Sequence, residues 1–97
     1  MTDTITIEKE MGITHRDFLR LVARFFAGAD YAVDDARIVQ EADGRRLEIT
    51  LSPETSRRIA LIEMPVTQVR LAFIGYGEEE AAAALALFDR TFQRGGG

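Results

Sequence analysis

The chain has 97 residues, 46 % of them hydrophobic and 29 % charged, with a net charge of −4 and no cysteine. That is one small domain with enough apolar residues for a core; it has no disulfide, no thiol catalysis and no thiolate-held cluster, and no apolar run nears the ~20 residues of a membrane-spanning helix. The acidic balance argues against general nucleic-acid binding, which draws its affinity from clustered positive charge.

Met1 to Glu10 lacks the basic-then-apolar order of a secretory leader, so a cytoplasmic location is expected. Within it, Thr4, Ile5, Thr6, Ile7 and Glu8 alternate and are rich in β-branched residues, which predicts a first strand. Thr14, three residues before Asp17, is a capping-box-like helix start with Asp in place of Glu or Gln. Phe18, Leu21, Val22, Phe25 and Phe26 then fall on one helical face, and Gly28 ends the helix. Asp30 to Asp35 is a polar connection. A strand is expected from about Ala36 to Ala42, turned by Asp43-Gly44, a pair that tolerates positive φ at both turn positions. The returning strand alternates Leu47, Ile49 and Leu51 with Arg46, Glu48 and Thr50. Ser52 to Ser56 forms a second connection whose Ser-Pro-Glu opening permits one turn of helix.

A further strand is expected from about Arg58 to Met64, interrupted by Pro65, which cannot donate to a ladder. Val69, Leu71 and Phe73 alternate with Gln68, Arg70 and Ala72 as the last strand. Gly75-Tyr76-Gly77 turns the chain into a final helix. Glu78, Glu79 and Glu80 suit the positive end of its dipole, and Arg90 and Arg94 the other end. Ala81, Ala84, Leu85, Phe88 and Phe92 form its inward stripe. Residues 1–94 thus read as a single α+β domain and 95–97 as a flexible tail. The expected architecture is a two-layer sandwich in the order β-α-β-β-β-β-α, with a mostly antiparallel sheet and two helices on one face. The other face, carrying Arg46, Glu48, Thr50, Gln68 and Arg70, is expected to be solvated. This element order resembles the repeat unit of the TATA-binding-protein-like fold.

Of the 12 basic residues only Lys9 is lysine. A GC-rich genome accounts for such a bias; the alternative is a use for guanidinium forks in carboxylate or phosphate pairing. Arg16, Arg20 and Arg24 recur at four-residue spacing, one line of charge roughly opposite Phe18 and Phe25. Like charges so placed repel by ~0.2–0.5 kcal/mol per pair unless something answers them. Solvent suffices, as would acids such as Asp34 or Asp35; the functional reading is a docking line for an acidic protein segment or a phosphorylated ligand. With Tyr76, which either caps the core or anchors an interface, these three arginines are the candidate binding residues for a partner or an anion.

Other chemistry-bearing residues are isolated. His15 is the only histidine, expected to be exposed in the first turn of its helix, and one His cannot make a His-rich metal site. Gly75-Tyr76-Gly77 lacks the lysine and third glycine of a phosphate loop, and three glutamates follow where an anion would sit. Those glutamates point about 100° apart along the helix, and neither Ser52 nor Ser56 has a histidine nearby in sequence to activate it. No catalytic residue, metal site or cofactor is therefore predicted. The expected function is a small binding or adaptor module, not an enzyme, acting through protein–protein contacts and homodimeric. Small domain size and the smooth flank of Ala81 to Ala84 and Ala86 favour self-association. The alternative is a small-ligand module, with a partly apolar pocket between helices and sheet lined by Phe25, Phe26, Leu61 and Phe73 and an arginine for an anionic group.

Overall fold

The computed structural model describes residues 4–95. Its elements follow the expected α+β order: β1 (Thr4–Met11), α1 (His15–Phe26), β2 (Ala32–Asp34), β3 (Arg37–Ala42), β4 (Arg45–Leu51), β5 (Thr55–Ile59), β6 (Ile62–Ile74) and α2 (Glu78–Gly95). The strand pairings are all antiparallel, in the order β1-β6-β4-β3-β2, with β5 also on β6. One short strand, β2, lies inside the connection expected to be irregular. Of the expected tail, Gly95 ends α2, while Gly96 and Gly97 lie outside the described residues.

Local signals explain the first helix and the first hairpin. The Thr14 hydroxyl accepts the Asp17 N–H at 3.1 Å, satisfying one of the N–H groups a helix start leaves open. The Asp17 carboxylate lies 3.6 Å from Arg20. The left-handed C-cap falls on Ala27 (φ 52°), one residue before the expected Gly28. At the β3–β4 turn, Asp43 and Gly44 have φ of 55° and 76°, the two positive values a type I′ hairpin requires. Gly75 is constrained more strictly: its φ is 78°, and a Cβ there would meet the Gly44 carbonyl oxygen at 2.8 Å.

Both helix stripes cover one face of the sheet. Phe18, Leu21, Val22 and Phe25 from α1 and Phe88 and Phe92 from α2 pack with Leu47, Ile49, Val69, Leu71 and Phe73. The helices meet through aromatic rings, Phe18 with Phe92 at 4.8 Å and Phe25 edge-on to Phe88 at 5.7 Å between centroids. Fully burying each such side chain contributes ~1.5–3 kcal/mol. The opposite face carries charged pairs between strands: Arg70 on Glu8 at 2.7 Å, Arg57 on Glu10 at 3.0 Å, and Glu48 shared by Arg37 and Arg46.

The second half of the sheet departs from the expected boundaries. Leu51 opposes Val69, while Thr55 opposes Val66. Four steps on one strand match three on the other, so Ser52-Pro53-Glu54 forms a β-bulge rather than a turn of helix. The strand expected from Arg58 to Met64 contains a reversal: Ile59 pairs with Ile62 around a two-residue turn, Ala60-Leu61, with Ala60 at φ 56°. Pro65 does not interrupt β6. It pairs with Ser56, three steps from the hydrogen-bonded Ile59–Ile62 closing pair and so at a non-hydrogen-bonded position of the alternating ladder, where its ring nitrogen points away from β5.

Candidate functional site: a β-arm and an arginine line

β4 and β5 run as one bulged strand beside β6, and the far half of this ribbon leaves the body of the sheet. β3 ends its pairing with β4 at Arg37↔Thr50, and β1 ends its pairing with β6 at Met11↔Thr67. Beyond those points β5 and the start of β6 are each other's only strand partners among the described residues. The molecule is correspondingly elongated, 48 × 26 × 24 Å.

The register sorts the side chains of this arm. Arg57 pairs with Met64 and Ile59 with Ile62, so these four share one face; Ser56, Arg58, Glu63 and Pro65 share the other. The extra residue of the bulge shifts the pleat. Odd-numbered residues face the helices in β4, but on the arm Arg57 and Ile59 face the charged side. Arg57 accordingly reaches Glu10, which also accepts from Gln68. Arg57 first, then Gln68, holds the Glu10 carboxyl below the usual carboxylate value of 4.5.

No helix covers the arm. Leu61 is 97 % exposed, Ile62 64 %, Ile59 56 % and Met64 42 %. Besides the Arg57–Glu10 pair, the base is anchored. Thr67, fully buried, donates to the Ile13 carbonyl at 2.8 Å, and Ser52 exchanges bonds with Gln68 through its N–H and its hydroxyl. His15 is half-buried rather than exposed: its Nε2 lies 2.6 Å from the Ser52 carbonyl oxygen, and its backbone N–H donates to Glu54 at 2.6 Å. The bulge and the start of α1 thus hold each other, with a carboxylate at the positive helix end. His15 serves as a clasp at the base of the arm.

Arg16, Arg20 and Arg24 are exposed along α1. Arg20 is answered by Asp17 of its own helix, not by Asp34 or Asp35; among the described residues Arg16 and Arg24 have no ion-pair partner. Tyr76 does not join them. It follows Ile74 at the Thr4 end of the sheet, whereas Arg16 starts from the Met11 end, about 25 Å away along an eight-residue strand. There Tyr76 packs edge-on against Phe73 at 5.1 Å and beneath the Arg45 guanidinium at 5.4 Å. Burial raises its hydroxyl above the ordinary tyrosine value of 10.0. It caps the core.

The pocket expected between helices and sheet is not formed by its named residues. Phe25, Phe26 and Phe73 are buried in the core, and Leu61 stands at the tip of the arm. A wide groove of about 550 Å³ lies instead between β1 and the end of α2, with Met11, Ile13, Phe88 and Phe92 among its walls and a Lys9–Asp89 ion pair of 3.1 Å. No group of three His, Cys, Asp or Glu placed to hold a metal occurs among the described residues, and none of their helices is long and apolar enough to cross a membrane.

The arm itself escaped the sequence reading. Its one signal was Ile59-Ala60-Leu61-Ile62, a run of apolar residues without alternation between Arg57-Arg58 and Glu63. No protein-family model matches this chain, and no curated protein matches it. It is similar to the crystal structure of the Mll3558 protein from Rhizobium loti, with 15 % identity, coverage of 94 % of this chain and 97 % of that one, and a TM-score of 0.33. A likeness that distant carries no argument about fold or function.

Proposed function

We propose that this protein is a binding module acting through protein–protein contacts, with the β5–β6 arm as its principal contact surface. One observation carries the reading: four large apolar side chains, Ile59, Leu61, Ile62 and Met64, stand exposed together on a two-stranded projection. An isolated two-stranded hairpin is marginal in water, and contiguous exposed apolar patches mark interaction sites. The arm is presented, not loose, because the bulge, Thr67 and His15 fix its base. The line of Arg16, Arg20 and Arg24 offers a second face, suited to an acidic segment of a partner.

The test is photo-crosslinking in the native host from Leu61→p-benzoylphenylalanine, with the same probe placed at Ala83 on α2 as reference. A discrete protein adduct is expected from position 61 and not from position 83, and it is expected to disappear when Ile62→Asp is added. No adduct from position 61, or equal adducts from both positions, overturns the proposal.

A further inference from the structure

We infer that the arm is occupied by a second copy of this chain, the two arms packed apolar face to apolar face about a twofold axis. The inference rests on reading the arm as a protein-binding element and goes on to name its partner.

A twofold contact brings each residue against its own kind or its symmetry-related neighbour, so a surface suited to it must be self-complementary. The arm meets that demand. Ile59, Ile62 and Met64 lie on one face with Leu61 at the tip, and apolar surface is complementary to itself. The only charged residue on that face of the arm is Arg57, and it is already paired with Glu10 at 3.0 Å. Arg58 and Glu63 point to the other face. Two copies can therefore meet there without a like-charge clash. Elsewhere self-contact is opposed: α1 presents Arg16, Arg20 and Arg24 in a line, and α2 begins with Glu78, Glu79 and Glu80.

The mode of packing follows from Pro65. On the open edge of β6 it removes the donor that a neighbouring strand would use, which blunts edge-to-edge extension of the sheet. The face remains. Its four apolar side chains present on the order of 450 Å², and doubling that, with the polar rim added, approaches the ~1,200 Å² at which specific interfaces begin. Isolated exposed residues such as Val33 and Leu87 offer no patch of comparable extent.

Native mass spectrometry and sedimentation velocity on the full chain decide the matter. The wild-type protein is expected at twice 10.8 kDa. Ile62→Asp and, as an independent change at the most exposed position, Leu61→Asp are each expected at a single mass, with unaltered far-UV circular dichroism. Arg20→Glu is expected to stay at the doubled mass. A wild-type protein of single mass at every concentration, or a doubled mass that survives both arm substitutions, overturns the inference. The crosslink at position 61 separates this failure from that of the broader reading. An adduct of doubled mass supports self-association, an adduct of any other mass overturns it while leaving protein binding intact, and no adduct ends both.

Discussion

The ribbon of β4, β5 and β6 has two halves built from the same kind of sequence and living in different surroundings. In the body, Leu47, Ile49, Leu51, Val69, Leu71 and Phe73 are covered by two helices and carry the core. Past the bulge, Ile59, Ile62 and Met64 occupy the same pleated geometry and remain in contact with water. A strand's apolar residues stabilise a fold only where a second layer removes them from solvent. Here the helices cover one face only and the bulge turns Ile59, paired with Ile62, to the other, so apolar residues in the arm contribute to whatever the arm meets.

That contrast makes its strongest prediction for truncations. Phe88→Ala, which removes the ring packed against Phe18, Phe25 and Phe92, is expected to cost ~3–5 kcal/mol in urea unfolding. Leu61→Ala is expected to change the stability of a single copy by less than ~0.5 kcal/mol. A comparable loss at Leu61 measured on the Ile62→Asp background, where self-association is removed, would break the distinction between the halves.

The junction between them comes next. Thr67→Val keeps the shape but leaves the buried Ile13 carbonyl without its donor, and is expected to cost ~1–3 kcal/mol. Amide exchange should show the protection of Val66 and Gln68 falling more than that of Leu71 and Phe73. Uniform loss across β6 would show that body and arm unfold as one unit.

Ala60→Gly probes the tip. Alanine at φ 56° is strained where glycine is not, so the substitution is expected to stabilise by ~0.5 kcal/mol despite the entropy glycine adds to the unfolded chain. A loss of stability there would mean that the turn is held by contacts beyond its own backbone.

The smallest effects belong to the charged face. Arg37 foremost, then Arg46, lowers the Glu48 carboxyl below its usual value of 4.5, and Arg57 does the same for Glu10. A carboxylate with a lowered folded-state value binds fewer protons folded than unfolded. Its contribution is present above pH 4.5 and is lost as pH falls through the lower, folded value. Glu48→Gln should therefore narrow the gap between melting temperatures at pH 6 and pH 3. Tyr76 has the opposite sense: its raised value gives stability that is complete below pH 10.0 and declines above it, and Tyr76→Phe should remove that decline.

Thr14, the five-residue stripe of α1, Asp43-Gly44 and the alternation of β4 could be read directly from the chain, because each signal lies within a few residues of the structure it specifies. So could the two-layer α+β order, since two amphipathic helices and an alternating meander have few ways to bury their apolar sides. Tyr76 and His15 could not be placed: whether a residue caps a core or clasps a bulge depends on Phe73 and Arg45, or on Ser52 and Glu54, brought near from other elements. The turn at Ala60-Leu61 carries none of the Gly, Asn or Asp that announce a reversal, and Pro65 suggested a break where the structure has an edge. The candidate site was hidden for the same reason. Period-two apolar patterning is identical on a covered face and a bare one, and only the bulge at Ser52-Pro53-Glu54 decides that Ile59, paired with Ile62, lies on the face away from the helices.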